Sequence, residues 1–337
     1  MPGSEERVTL DDVARAAGVS RMTASYTFSR PDRVAARTRE KVLAAADRLG
    51  FRGPDPSGRL LRTGGLRSLG LVLGESLEYV FEDPEAARFV GGMARECSAA
   101  GYGLTIIPTT GEEPDRAHIA TAAVDAFVIW TTTPDDPVLD AVRETRRPAV
   151  VHGGPAVPGF ALVGIDDRAA ARELALAVWS DAKAPAVISF PVNRDRAAGV
   201  VTGLDPTHVS FPVTRHRLAG FHEAADLLGL DWDTIPVAVC THNDSEGAAD
   251  AAEAIRAARP DVDGLVAMSD RQALAAQDVL GPSVPLGGFD GSELARERGI
   301  TSVRQSLPEQ GAHAARIALG IETGAATSTE RWTLIRA

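Results

Sequence analysis

No run of 18 apolar residues occurs in the 337-residue chain, so no membrane span is expected. The first dozen residues are polar and lack the apolar stretch of an export signal, and a cytoplasmic protein is expected. Cysteine is scarce. Cys97 and Cys240 stand far apart in apolar surroundings, without a Cys-x-x-Cys pair or metal-ligand spacing, and read as buried thiols. The common catalytic motifs are missing: no Gly-x-Ser-x-Gly elbow, no phosphate-binding loop and no His-Glu-x-x-His, since His222-Glu223 lacks a second histidine one turn on. Gly153-Gly154-Pro155 has the wrong spacing for a dinucleotide fingerprint. Neither an enzyme nor a cofactor is expected.

What is present is an ordinary globular composition, 44 % hydrophobic and 24 % charged, with an uneven charge distribution. Against a net charge of −11, residues 1–67 hold 13 Lys and Arg but 8 Asp and Glu, while the remainder holds 22 and 38. A basic head on an acidic body is expected where one end meets phosphate and the other does not. Residues 8–51 alternate helical apolar patterns with short turns, and residues 53–65, rich in Pro, Gly and Arg, read as a linker. From Leu69 onward, nine short apolar runs alternate with helix-length stretches; they start at Leu69, Leu104, Ala126, Ala149, Leu162, Ala186, Val237, Leu265 and Pro285. Such runs indicate parallel strands covered on both faces, divided between two sheets. Gly324 to Glu330 reads as a polar loop before a last strand at Trp332 to Ile335.

In the head, Thr9 can cap a helix with Asp12 as its capping-box partner, and Leu10, Val13, Ala14 and Ala17 share one face. Gly18 supplies the left-handed residue that ends that helix, and Ser20 caps the next. The second helix buries Ala24, Thr27 and Phe28 and turns Arg21, Met22, Ser25 and Tyr26 outward. A third helix from about Arg37 to Leu49 carries a buried stripe of Val42, Leu43, Ala46 and Leu49. Two short helices joined by a glycine turn, the second with a polar outer face, form a helix-turn-helix whose second helix enters a major groove.

These segments, with LLRTG and SLGLVL after them and then RHRLAGF (215–221), AMSD (267–270), GGFD (287–290) and TSVRQ (301–305), resemble the LacI/GalR family of bacterial repressors over nearly the whole chain. The resemblance implies an all-α helix-turn-helix head plus an α/β, two-lobed, periplasmic-binding-protein-like effector domain of two doubly wound parallel sheets. The boundaries expected are 1–53 for the head, 54–67 for a hinge and 68–337 for the effector and dimerisation domain. The first lobe would take about 68–165 and 291–323, the second about 166–290 and 324–337. The partners implied are double-stranded operator DNA, a small-molecule effector and a second copy of the chain in a homodimer, with no membrane. Arg21 and Met22 match the two main base-reading positions and Tyr26 a third; Thr23 and Ser25 serve phosphate or base contacts, and Thr9 and Ser20 belong to the same DNA-facing set. Leu61, or Leu60 one residue earlier, matches a minor-groove wedge, flanked by Arg59 and Arg62 at phosphate or groove floor. Gly58 stands where the family carries alanine, and Ala35 where a helix cap is usual.

For the larger domain, residues just past the expected strands are the first candidates for ligand contact: Glu75, Trp130, His152, Phe190, His242, Ser269 and Asp290. Aromatic faces mixed with hydrogen-bonding groups suit a polyhydroxy ligand. Trp130 reads equally as core or stacking surface, and His152 and His242 as ordinary satisfied histidines. The resemblance adds Arg217 as an effector-gripping arginine, Asp290 and Ser269 as polar pocket positions, and Phe81 in the loop after the first strand. Glu85 and Ala86 replace an aromatic pair there, which leaves ligand identity open. The function implied is repression of a near-palindromic operator, with release by a sugar-like inducer favoured. A non-sugar effector is the alternative, and a free solute-binding protein would share the two lobes but not the basic head.

Overall fold

The computed structural model describes residues 8–29, 33–49, 51, 65–324 and 326–337, and the chain forms two compact units, 1–66 and 67–337. The first unit contains α1 (Leu10–Ala17), α2 (Arg21–Ser29) and α3 (Ala36–Leu49). The capping box closes α1: the Asp12 carboxylate accepts from the Thr9 N–H at 3.0 Å, and the Thr9 hydroxyl accepts from the Asp12 N–H. Gly18, at φ 65°, ends the helix by donating its N–H to the Ala14 and Arg15 carbonyls. Ser20 Oγ accepts from the Thr23 N–H at 3.1 Å and so caps α2. Val13, Ala14, Ala24, Val42, Ala45 and Ala46 form the small core, with Phe28 set edge-on to Phe51 at its margin. The stripe of α3 is narrower than its leucines suggest. Leu43 is 42 % and Leu49 37 % exposed, whereas Ala45 is fully buried. Three short helices cover one narrow face of each other, met by α3 at i, i+3 and i+4 from Val42, and Leu43 lies about 100° off that line.

In the second unit the chain builds one lobe and then the other. The first has β1 (Ser68–Leu73), α4 (Tyr79–Glu82), α5 (Pro84–Ala100), β2 (Gly103–Pro108), α6 (Asp115–Thr121), β3 (Ala126–Trp130), α7 (Pro137–Thr145), β4 (Ala149–His152) and β5 (Ala161–Gly164). The second has α8 (Asp167–Val178), β6 (Pro185–Ser189), β7 (Gly199–Val201), α9 (Pro212–Leu228), β8 (Val237–Val239), α10 (Ser245–Ala258), β9 (Gly264–Ala267), α11 (Asp270–Leu280), β10 (Leu286–Asp290), α12 (Glu293–Glu297) and β11 (Thr301–Arg304). Then α13 (Leu307–Ala318) returns to lie on α5, β12 (Thr327–Thr329) joins the first sheet beside β5, and β13 (Thr333–Ile335) ends the second beside β11. The strand orders are β12-β5-β4-β3-β1-β2 and β13-β11-β10-β9-β6-β8-β7.

Two sequence-based expectations need correction here. The chain does not return to the first lobe at residue 291. Residues 301–304 pair in parallel with β10, because Val303 is buried with Phe289 in the second-lobe core, and the crossing falls between β11 and α13. Residues 327–329 are a strand of the first sheet, not a loop of the second lobe; their polarity reflects a sheet edge with exposed ends. The two sheets are mostly parallel, as expected, with β7 and β13 pairing antiparallel at the edges of the second.

Close backbone approach holds α13 on α5. A Cβ on Gly311 would lie 2.1 Å from the Phe89 carbonyl oxygen, and one on Gly92 would lie 1.9 Å from that of Pro308. Gly311→Ala is therefore expected to lower stability by about 1–3 kcal/mol through overpacking. Gly91→Ala in the same α5, where a Cβ meets open space, should instead raise it by about 0.4–1 kcal/mol. Urea unfolding of the two variants beside the parent checks the pair.

Candidate functional site

The carboxyl ends of β1, β3 and β4 in one lobe and of β6, β9 and β10 in the other open on a shared cleft of about 1020 Å³, part of it open solvent. Arg217, projected from α9, lies at its floor and is 5 % exposed. Its Nε donates to Asp167 Oδ1 at 2.7 Å, its Nη1 donates to the Met268 carbonyl, and its guanidinium stacks 3.8 Å from the Phe289 ring centre and 5.7 Å from that of Phe190. The charge is thus paired and sandwiched, which a buried guanidinium requires. On the facing lobe, Trp130 packs against Phe89 at 4.4 Å and Tyr79 at 6.0 Å between ring centres, leaving an aromatic wall.

A chain of side-chain hydrogen bonds crosses between the lobes. Gln305 Nε2 donates to Asp290 Oδ1 at 3.0 Å, Gln310 Nε2 donates to Gln305 Oε1 at 3.1 Å, and Gln310 Oε1 lies 2.7 Å from His152 Nε2. An amide oxygen accepts only, so His152 carries its ring proton on Nε2. Burial keeps that imidazole neutral by lowering its pKa. Asp290 has a backbone φ of 110°, a region that costs a non-glycine residue and persists where surroundings enforce it. Burial, then the neighbouring Asp270, push its carboxyl up to about 8, with Arg217 opposing and Glu85 adding to the rise. Burial likewise raises Glu85, against the pull of Arg88, and holds Tyr79 well above the usual phenol range.

The Asp290 shift has a signed consequence. Between its ordinary pKa of 3.8 and about 8 the folded chain holds a proton that the unfolded chain has lost, so this group lowers stability as pH rises through that window. Asp290→Asn removes the effect. The variant's melting temperature should gain on the parent steadily from pH 4 to 8, and thermal melts across that range check it.

In the head, Met22 is 64 % exposed on α2. Arg21 beside it sets Nε 3.2 Å from Asp11 Oδ1, an exposed pair reaching back to the first turn of α1. Ser25 and Tyr26 are half-buried. Thr9 lies in the α1 cap, and Thr23 shares a 2.8 Å hydrogen bond with Ser20 in the α2 cap. Arg59, Leu61, Arg62, Leu60 and Gly58 lie outside the described residues.

Residues 9–53 match the family described as bacterial regulatory proteins of the lacI family, and residues 67–282 match the periplasmic binding proteins and sugar binding domain of the LacI family. The chain belongs to the LacI family. An HTH-type transcriptional regulator of Mycobacterium tuberculosis is 37 % identical over 94 % of this chain and 92 % of its own length. The crystal structure of a LacI-family transcriptional regulator from Corynebacterium glutamicum superposes with a TM-score of 0.73 at 26 % identity, covering 98 % of both chains. The CelR–cellobiose complex superposes at 0.66 with 25 % identity, again over 98 % of both. This LacI-family chain is a DNA-binding transcriptional regulator with a helix-turn-helix head and a two-lobed α/β domain. Among the described residues no helix is long and apolar enough to cross a membrane.

Of the effector positions expected in this LacI-family chain, Glu75, Trp130, His152, Phe190, Arg217, Ser269 and Asp290 line the cleft. Glu75 is already engaged, receiving Arg196 Nη2 at 2.7 Å, and Ser269 caps α11 while donating to Asn243 at 2.7 Å. Phe81 does not reach the cleft and is 73 % exposed. Residues 79–82 are a helical turn, so Tyr79 and Phe81 point about 200° apart, and Tyr79 faces inward. His242 also lies outside the lining, its Nδ1 3.4 Å from Arg196 Nη1. Because β8 ends at Val239, the loop carries Asn243 into the cleft instead, where its amide donates to Asp83 at 2.9 Å. Sequence reasoning did not select Tyr79, Asp83, Asn243, Gln305 or Gln310, all of which line the cleft. Asp83-Pro84 is the one local signal among them, an N-cap followed by an N1 proline. Gln305 directly follows β11, a strand that sequence reasoning did not recognise, and Gln310 sits on α13, which no strand-end rule reaches.

Proposed function

We propose that the chain is a repressor that binds a near-palindromic operator as a homodimer and releases it when a sugar or sugar derivative occupies the interlobe cleft. The observation that carries this reading is the cleft itself. A paired, ring-stacked Arg217, an aromatic wall at Trp130 and Tyr79, and a strained Asp290 converge there. Rings suit the apolar face of a pyranose, and carboxyl and amide groups suit its hydroxyls. The likeness to the CelR–cellobiose complex supports a sugar as ligand.

On DNA, Arg21, Met22 and Tyr26 would meet base edges, with Arg21 positioned to pair with guanine and Met22 to touch a thymine methyl. Thr23 and Ser25, with the capped helix ends at Thr9 and Ser20, would fix the head on phosphate and base. Arg59, Leu61 and Arg62 are assigned to the hinge contact on family resemblance alone. For the homodimer, the exposed Leu77 and Phe81 supply apolar surface that a second copy would bury. Effector and operator would then be coupled reciprocally, each weakening the other by the same factor.

Two measurements test this reading. Fluorescence anisotropy with a genomic operator fragment should show salt-dependent binding that falls when cellobiose or a related sugar is added. Sedimentation should report a dimer. Operator binding that no sugar alters would sink the effector assignment, and absence of any sequence preference would sink the repressor.

A further inference from the structure

The two lobes are tied to each other on the side away from their connections. The chain crosses between lobes after β5, after β11 and between β12 and β13, so the crossings gather at or beside one edge of each sheet. At the opposite edges lie β1 and β2 in the first lobe and β8 and β7 in the second. There the segment between β6 and β7, residues 190–198, reaches from the second lobe onto the first. Arg196 Nη1 donates to the Thr241 carbonyl of its own lobe at 3.1 Å. Its Nη2 donates across the cleft, to the Gly74 carbonyl at 3.1 Å and to Glu75 Oε1 at 2.7 Å. Arg194 of the same segment lies against Gly111 of the first lobe, where a Cβ would stand 2.3 Å from its Nη2. Beside them, Asn243 Nδ2 donates to Asp83 Oδ2 at 2.9 Å, with Arg271 Nη1 3.7 Å from the same oxygen.

We propose that residues 190–198 form a strap, with Arg196 as a positioning residue that pins the lobes together, so that a ligand enters or leaves the cleft only when Arg196 releases Gly74 and Glu75. The segment is braced on its own lobe, since the Val192 carbonyl accepts from the Ser210 N–H at 2.9 Å and Asn193 Oδ1 accepts from the Ser210 hydroxyl at 2.9 Å. Arg196 itself has a φ of 50°, a left-handed conformation that its surroundings must enforce. Its side chain is 19 % exposed and that of Glu75 15 %, so water screens this pair less than a surface one. A planar fork of donors serves both lobes at once, which a point-like ammonium does not. Neighbouring strands lie about 4.8 Å apart, which puts β1 about 19 Å from the β12 edge. A rotation of about 10° at the crossings would part Arg196 from Glu75 by about 3 Å and break both interlobe hydrogen bonds. The strap acts on lobe closure whatever ligand the cleft takes, so it stands apart from the sugar effector proposed above.

Thiol labelling of the full chain tests the strap without any ligand. Val213 lines the cleft opposite the first lobe: a Cβ on Gly153 would lie 2.9 Å from its Cγ2. Val213→Cys therefore places a thiol where opening exposes it. The native Cys97 and Cys240, buried one in each lobe, serve as internal controls for unfolding. Arg196→Asn removes the fork and keeps a residue that tolerates the left-handed backbone. In that background a small aromatic disulfide should label the introduced thiol at least about ten-fold faster, with Cys97 and Cys240 still protected. Glu75→Ala, made from the facing lobe, should act in the same direction. The two together should exceed Arg196→Asn alone by less than about two-fold, because both remove one contact. Arg196→Lys should fall between the parent and Arg196→Asn. Labelling that Arg196→Asn leaves unchanged would overturn the strap. So would labelling that rises only together with Cys240, which adjoins Thr241 and reports fraying of the strap's own lobe, or with Cys97, which reports loss of the fold.

Discussion

Replacing Arg217 with alanine should abolish the response to effector while operator binding persists. The guanidinium is 5 % exposed and joins three groups at once: Asp167, the Met268 carbonyl and the Phe289 ring. Its loss leaves Asp167, itself buried, without its partner, and breaking such a pair costs about 3–5 kcal/mol. Part of the effect will therefore appear as lowered stability. Asp167→Asn combined with Arg217→Met removes the stranded charge and restores apolar packing against Phe190 and Phe289, so the double variant should recover much of the melting temperature and still ignore ligand. Thermal melts and anisotropy titrations, with and without cellobiose, separate the two contributions. A double variant that regains stability and responds normally would place the ligand elsewhere.

The second large effect belongs to Arg21. Arg21→Ala is expected to weaken operator binding by about 1–3 kcal/mol and to relax preference at one base pair in each half-site. Its guanidinium is held 3.2 Å from Asp11 in the free head, so reaching a base means giving up that contact. The pair is exposed and contributes no more than about 1 kcal/mol, and Asp11→Asn should tighten operator binding by a correspondingly small factor. Binding to a set of single-base operator variants, followed over a salt titration, checks both. An equal loss on every sequence, with a shallower salt dependence, would assign Arg21 to phosphate instead.

Much of the fold is legible without coordinates because its signals are local. The capping box at Thr9 and Asp12, the left-handed Gly18 and the Ser20 cap each act within four residues, and all three form. Most of the strands that sequence reasoning found are buried runs such as Leu69 to Leu73, whose burial on both faces erases alternation and leaves a continuous apolar signal, while β2, β5 and β13 are only partly buried. The strands it overlooked, β7, β11 and β12, are three or four residues long with partly exposed ends. Strands this short carry little periodicity, so nothing nearby distinguished them from loops. Positions at or just past the carboxyl ends of buried strands landed in the cleft, as at Trp130, His152, Phe190 and Asp290. Among strand-end positions His242 falls outside the lining, because its strand stopped earlier, and Phe81, assigned by family resemblance, falls outside it because a turn of helix reverses the facing.

The sequence by itself therefore determined the helix-turn-helix, the two-sheet architecture and the family, because caps, turns and apolar runs are decided by neighbours along the chain. Tertiary structure alone decided that residues 301–304 belong to the second sheet and 327–329 to the first, and that Gln305 and Gln310 join His152 to Asp290. It also decided the protonation of Asp290, since burial and the nearness of Asp270 arise from residues that meet only when the lobes are assembled. A carboxylate's charge depends on what surrounds it in space, and one-dimensional order carries no measure of that distance.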